Sequence, residues 1–330
     1  MKGILLINLG SPKDLEDESI KEYLKEFLSD DLVVDYPKQI QQVLVNWIIV
    51  PNRYKKTQEA YSKIWTDKGS PLIQNTKELG LRLGELSSLP IEVAMRYQEP
   101  SIEKAITSLK KKGCTTIRAI PLYPHFAISS TLTTQNKIIE EVKRIDEDIA
   151  IDFIEPFYRD PEYIDSLCSL IDENISKNSD LLLFSYHGIP IRHLRKASPE
   201  GEHSYSLCKK SECNTKDFCY RFQVYETSRL CAEKLNIPKE KWKVSFQSRI
   251  GPGWLKPFTD KELNRLPEKG IKKVDVISPS FVIDNLETLE EINIEGRHNF
   301  LAAGGEEFNY IPCLNYRKDW VKVLNQLSKK

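Results

Sequence analysis

Apolar and polar positions along this chain follow two rhythms. Short runs rich in Val, Ile, Leu, Phe and Tyr occur at residues 3–9, 91–97, 116–123, 150–157, 180–187, 242–248, 273–281 and 299–303. Runs of that length and continuity suit strands buried on both faces. Between them lie segments with apolar residues at helical spacing, such as 101–112, 131–145 and 161–175. Strand and helix alternating at this pace predict an α/β protein with parallel sheets. Eight strands could close one barrel or form two open four-stranded sheets. The connections are unequal in length, and an aperiodic stretch at residues 192–217 interrupts the second half. Two open sheets are the better prediction.

Composition agrees with two domains. A chain of 330 residues, 40% apolar, can bury two sizeable cores. The 48 basic and 48 acidic side chains cancel, so no net field favours nucleic acid. No apolar stretch approaches the ~20 residues of a membrane-spanning helix. The opening run, Ile4 to Leu9, is interrupted by Asn8 and is too short for a signal-peptide core, so a buried first strand is expected. Seven cysteines, four of them scattered, argue against an oxidised framework and for a reducing cytoplasm.

In open parallel sheets the ligand crevice lies beyond the C-terminal strand ends. The polar residues there are Asn8, Arg96, Tyr97, Tyr123, His187, Gln247, Ser248 and the segment from Ser280. His187 leaves a buried run and is followed by Gly188 and Pro190, which force a turn. Such an imidazole can serve as a general base or handle metal. Alone, it can equally be a histidine bonded to a loop backbone. Glu287, Glu291 and Glu295 recur every four residues, on one flank of a predicted helix. Like charges at that spacing repel by a few tenths of a kcal/mol, so an isolated helix gains nothing from them. They form either a solvated face or a carboxylate ladder for cations and protons. Spacing does not separate these readings.

The ordered set of motifs narrows the choice. The chain carries Leu5-Leu6-Ile7-Asn8-Leu9-Gly10-Ser11-Pro12, Gly69-Ser70-Pro71-Leu72, Met95-Arg96-Tyr97 and Pro121-Leu122-Tyr123-Pro124-His125-Phe126. It continues with Ser185-Tyr186-His187-Gly188-Ile189-Pro190, Phe246-Gln247-Ser248-Arg249, Trp254-Leu255, Leu286-Glu287-Thr288-Leu289-Glu290-Glu291 and Tyr310-Ile311-Pro312-Cys313-Leu314-Asn315. In this order and spacing the chain resembles the ferrochelatases, from residue 3 to about residue 316. The resemblance implies an α/β, chelatase-like fold of two similar Rossmann-like lobes, each a four-stranded parallel sheet flanked by helices, with a porphyrin cleft between them. The lobes are expected at residues 1–148 and 149–316, with a cysteine insert at 192–219 and a C-terminal helix at 317–330 packing back on the first lobe.

The same resemblance implies roles. His187 matches the active-site histidine and Glu287 the acid across the macrocycle from it, together handling the substrate Fe²⁺. Asn8, Leu9, Arg96, Tyr97, Tyr123 and Phe281 fall where the family builds the pocket wall. Asp284, Glu291 and Glu295 match acidic positions leading away from the centre. Many relatives carry a second histidine where this chain has Asn285, which removes one imidazole from the metal chemistry. Insertion of Fe²⁺ needs two pyrrole protons removed and the metal's water stripped, and a puckered macrocycle exposes its nitrogen lone pairs. His187 is expected to take pyrrole protons, and the Glu287–Glu291–Glu295 ladder to carry protons or cations. Protoporphyrin IX is the expected porphyrin. Coproporphyrin III, or cobalt insertion into a related tetrapyrrole, is the near alternative. A non-catalytic iron–sulfur or heme-binding sensor predicts loss of the polar strand-end residues, and they are present.

Cys208, Cys213 and Cys219 form a C-x4-C-x5-C group in the polar insert. Three cysteines so close in a reduced protein point to metal, and a closed site needs a fourth ligand. Some ferrochelatases carry a [2Fe–2S] cluster with one ligand early in the second lobe, and that resemblance assigns Cys168. Structural zinc with His203, or free thiols, are the alternatives. Cys114, Cys231 and Cys313 read as small buried residues. Finally, Val43-Leu44-Val45-Asn46-Trp47-Ile48-Ile49-Val50, followed by Arg53, Lys55 and Lys56, reads either as a core helix or as an apolar lip. The family position matches such a lip, so residues 32–56 are expected to touch a membrane surface. The protein is expected to be a monomer or homodimer, with no nucleic-acid partner.

Overall fold

The computed structural model describes residues 1–198, 208, 215–249, 251 and 253–329. The chain divides into two units. The first comprises Met1–Tyr123, Ile128–Glu155 and Asn315–Lys330, and the second Pro124–Ala127 and Pro156–Leu314. Each holds one four-stranded, wholly parallel sheet.

The first sheet contains β1 (Lys2–Gly10), β2 (Ile91–Tyr97), β3 (Thr116–Pro121) and β4 (Ala150–Phe153), in the order β2-β1-β3-β4. The second contains β5 (Leu181–His187), β6 (Trp242–Gln247), β7 (Lys273–Ile277) and β8 (Glu307–Ile311), in the order β6-β5-β7-β8. The two orders are the same. Helices cover both sheet faces, so the central strands are apolar on consecutive positions rather than alternate ones. Ile4, Leu5, Leu6 and Ile7 all have 0% exposure, and Leu181 to Tyr186 are buried throughout. The first core sets Leu5, Ile7 and Ile117 against Ile102, Ile106 and Ile138 from the covering helices. The second packs Leu183, Val274 and Val276 against Leu263, Ile292 and Phe300.

Two boundaries differ from the sequence reading. The first unit runs past residue 148, because β4 pairs with β3 from Thr116↔Ala150 to Ala119↔Phe153. Residues 299–303 are not a strand. They lie in and just beyond the helix Arg297–Ala302, and the edge strand is β8. A five-residue apolar run does not distinguish strand from helix. Here Phe300 is the fully buried helical anchor, and Gly304, at φ 93, ends the helix. The terminal helix Lys318–Leu327 belongs to the first unit, where its Leu327 carbonyl accepts from Arg118 at 3.3 Å.

In a sheet of order 2-1-3-4 the chain leaves the first and third strands in opposite directions, and a crevice opens at their C-terminal ends. In the first unit that point lies beyond β1 and β3. In the second it lies beyond β5 and β7.

Candidate active site

His187 is the last residue of β5, paired in register with Gln247 of β6. Its backbone is held on both sides. The His187 N–H donates to Ser280 Oγ at 2.8 Å, and the Tyr220 hydroxyl donates to the His187 carbonyl at 2.9 Å. The Phe281 ring meets the imidazole edge-on, with centroids 6.2 Å apart. The ring is half-buried, and burial holds it below the usual histidine range, opposed by the charge of Glu291 and a backbone bond at Gly188. At neutral pH His187 is therefore the neutral base.

β7 ends at Ile277, and the chain then turns through Ser278 to Phe281 into a wide-turned π-helix, Glu287–Gly296. Its start is capped reciprocally: Asn285 N–H donates to Thr288 Oγ1 at 3.0 Å, and Thr288 N–H to Asn285 Oδ1 at 3.1 Å. Asn285 is 6% exposed and its Nδ2 donates to the Ile283 carbonyl. Its amide is spent on starting the helix. Asp284 Oδ1 accepts from the Tyr310 hydroxyl, from Thr288 Oγ1 at 3.1 Å and from Cys313 N–H at 3.2 Å. Asp284 thus fastens the helix to the end of β8.

The acids of this helix run from interior to solvent. Glu287 and Glu291 are half-buried and Glu295 is exposed. Burial raises Glu287 above the usual carboxylate range, opposed by its own backbone N–H. Burial also raises Glu291, with the Glu287 charge adding to it and bonds from Ser248 and the charge of His187 opposing it. The carboxylate whose charge bears on His187 is Glu291, while Glu287 acts on Glu291.

At the first unit's strand ends, Asn8 Oδ1 accepts from Leu9 N–H at 2.8 Å and Asn8 Nδ2 donates to Thr76 at 3.2 Å. Asp30 is the hub of the adjoining wall. Its Oδ2 accepts from Arg96 Nη2 at 2.5 Å, from the Tyr97 hydroxyl at 2.9 Å and from the Thr133 hydroxyl. Arg96 also stacks over the Tyr97 ring at 4.4 Å and donates to Thr133 at 3.0 Å. Tyr123, beyond β3, is half-buried, and burial pushes its hydroxyl well above the usual range.

With these two sets of strand-end residues in place, comparison with known proteins is decisive. The family model described as Ferrochelatase matches residues 1–330. The chain belongs to the ferrochelatase family. It is 40% identical to the ferrochelatase of Pseudomonas fluorescens (strain SBW25), over 99% of this chain and 97% of that one. It is also 40% identical to the ferrochelatase of Coxiella burnetii (strain CbuK_Q154), over 99% of this chain and 93% of the relative. Among solved structures it resembles SirB from Bacillus subtilis with Fe³⁺ in fold, with TM-score 0.57 and 12% identity over 99% of this chain and 94% of that one. Like other ferrochelatases it is a lyase that inserts ferrous iron into a porphyrin for heme synthesis. No helix among the described residues is long and apolar enough to cross a membrane.

The cysteines assigned to a cluster do not all lie together. Cys168 lies on the helix Pro161–Asn174, with its thiol 3.9 Å from the Cys231 carbonyl. Cys231 and Cys219 are at opposite ends of the helix region Tyr220–Lys234. Twelve residues of helix separate them, about 18 Å at 1.5 Å per residue. Cys168 therefore cannot share one [2Fe–2S] cluster with Cys219. Cys208 and Cys219 are reduced thiols, and a hydrogen bond from Cys219 lowers the Cys208 thiol to about 7 against the effect of burial, with Arg221 assisting. Cys213 and His203 lie outside the described residues.

Sequence reasoning missed Asp30 and Tyr220. Asp30 follows the helix Asp17–Leu28 in a polar pair with Asp31, where it also accepts from Leu32 N–H at 2.8 Å. That is ordinary turn chemistry and hides the second role. Tyr220 follows Cys219 at the end of the aperiodic insert, where no pattern marks it.

Proposed function

We propose that this ferrochelatase converts protoporphyrin IX and Fe²⁺ to protoheme, with His187 as the base for the pyrrole N–H groups. The placement of His187 at the end of β5, with its backbone held by Ser280 and Tyr220, and of Glu291 held by Ser248 just beyond β6, carries this reading. Two N–H bonds break as iron binds all four porphyrin nitrogens, so two protons must leave for each iron inserted. A neutral imidazole accepts the first. Transfer to Glu291 regenerates it, since a buried carboxylate with a raised affinity for protons is a fitting acceptor. The exposed Glu295 then gives the proton an exit to water.

Fe²⁺ is the substrate metal, and the Glu287 carboxylate is the group proposed to receive it before the porphyrin nitrogens displace it, which leaves the His187 nitrogen free to take pyrrole protons. Asn8, Leu9, Arg96, Tyr97, Tyr123 and Phe281 are the proposed porphyrin contacts, with Asp284 positioning the acidic helix. The segments Asn8 to Pro12 and Leu286 to Glu291 favour protoporphyrin over coproporphyrin. No step runs through an iron–sulfur cluster, because Cys168 does not fit the ligand set.

An anaerobic insertion assay with protoporphyrin IX and coproporphyrin III tests both substrate and residues. His187→Ala and Glu287→Gln should each lose at least about a hundredfold in kcat while still binding porphyrin. Insertion by His187→Ala at the wild-type rate would sink the assignment of the base.

A membrane-facing lip is a second reading with its own observation. The helix Lys38–Val43 passes through a π-helical turn, Leu44–Ile49, into Val50–Ser62. Pro51 has no N–H to offer the helical ladder, and the turn widens just before it. Val45 and Val50 are buried, while Trp47 is 79% exposed, beside exposed Ile40, Val43 and Ile48. Arg53, Lys55 and Lys56 follow. Apolar residues flanked by cations suit the surface of an anionic bilayer. The chain should sediment with anionic liposomes and Trp47→Glu should not. Equal sedimentation of both would remove this reading.

A further inference from the structure

β6 ends at Gln247, and the next residue, Ser248, has φ 60. This is left-handed backbone, which residues with a Cβ occupy at a cost and glycine occupies freely. Nothing in a strand-to-loop exit by itself demands it. The conformation has one visible consequence: both polar groups of Ser248 reach a single carboxylate. Its N–H donates to Glu291 Oε1 at 2.7 Å, and its hydroxyl donates to Glu291 Oε2.

The segment that makes this clamp is itself anchored. Gln247 Oε1 accepts from Ser185 at 2.7 Å and Ser278 at 3.4 Å, and Gln247 Nε2 reaches the Glu287 carbonyl at 3.4 Å. The clamp is thus tied to β5, to the turn after β7 and to the first residue of the acidic helix. Glu291 would otherwise rotate freely about its side-chain torsions. Two charge-assisted bonds from one residue both orient it and favour its ionised form. The titratable groups that bear on it are Glu287 of its own helix and His187 of β5.

We propose that Ser248 is a positioning residue for iron insertion, holding the Glu291 carboxylate beside His187 so that pyrrole protons pass onward. The inference rests on Glu291 being part of the proton path. Strain at a residue with two bonds to one acid is the arrangement expected where geometry serves chemistry rather than stability.

The test is anaerobic Fe²⁺ insertion into protoporphyrin IX by the full chain, with kcat, KM and pH profile measured for four variants. These are Ser248→Ala, Ser248→Gly, Glu291→Gln and the Ser248→Gly/Glu291→Gln double. Both Ser248 variants should lower kcat about tenfold while the porphyrin KM stays within about twofold. Their acid limb should move to higher pH, because Glu291 without the hydroxyl keeps its proton longer. Ser248→Gly relieves the backbone, so its loss of activity cannot come from misfolding. In the Glu291→Gln background the serine change should matter less than about twofold. If Glu291→Gln itself leaves kcat unchanged, the proton path is wrong and this proposal falls with it. If Glu291→Gln is impaired but the Ser248 variants keep the wild-type kcat and pH profile, or if the serine effect is undiminished in the double variant, only the Ser248 proposal is overturned.

Discussion

The hydroxyl of Tyr220 donates to the carbonyl oxygen of His187 at 2.9 Å, while the His187 N–H donates to Ser280. The backbone of the proposed base is therefore pinned from two elements. Tyr220 directly follows Cys219, which caps its helix by accepting from Phe222 N–H at 3.3 Å. The cysteine-bearing insert thus ends on the residue that holds His187.

Tyr220→Phe keeps the ring beside His125, 5.9 Å away, and removes only the donor. Leaving a part-buried carbonyl unpaired should cost about 1–2 kcal/mol in urea unfolding. The kcat should fall several-fold, with porphyrin KM little changed. An unaltered kcat would show that His187 needs no such pin.

His125 predicts an acid-sensitive second unit. It is 2% exposed, its Nε2 lies 2.9 Å from Thr227 Oγ1, and burial lowers it to about 3. Above about pH 6.5 the ring is neutral whether folded or unfolded, and stability is intact. As pH falls, the unfolded chain takes up the proton first. Stability is lost across the window from about 6.5 to about 3, at up to ~1.4 kcal/mol per pH unit. His187, also lowered by burial, acts in the same sense. Urea midpoints at about pH 7.5 and about pH 5 should differ less in His125→Gln than in wild type.

Asp30 should matter far more than its place in a polar loop suggests. Its side chain is 7% exposed and that of Arg96 13%. Asp30→Ala strands a guanidinium away from water, a loss of about 3–5 kcal/mol. Asp30→Asn, which keeps one acceptor, should cost less. Denaturant titration separates the two, and equal values would mean that the retained acceptor contributes nothing and the lost charge accounts for the whole effect.

Gly10 joins the first strand's exit to Tyr97. Its φ is 114, and an added Cβ would stand 2.0 Å from the Tyr97 carbonyl oxygen. Gly10→Ala should therefore destabilise by about 2 kcal/mol or more, with a lower thermal midpoint as the readout.

Cys168→Ser should leave the iron and sulfide content of anaerobically purified protein unchanged, since its thiol neighbours Cys231 rather than Cys219. A loss of metal in that variant would contradict the separation along the helix.

Much of this was legible in the chain. Strands covered by helices on both faces must be apolar at every position, so seven of the eight appear as runs, and their polar ends name His187, Asn8 and Arg96 directly. The spacing of Glu287, Glu291 and Glu295 was equally plain. What sequence could not supply depends on residues brought together from distant positions. Asp30 meets Arg96 across 66 residues, and Ser248 meets Glu291 across 43. Phe300 is helical because of the core it enters, not because of its neighbours in sequence. Cys168 and Cys219 are parted by a rigid helix whose length no motif reports. Local pattern sets which residues can be buried or charged, whereas the direction of each side chain is decided by packing, and packing turned the Glu291 carboxylate onto Ser248.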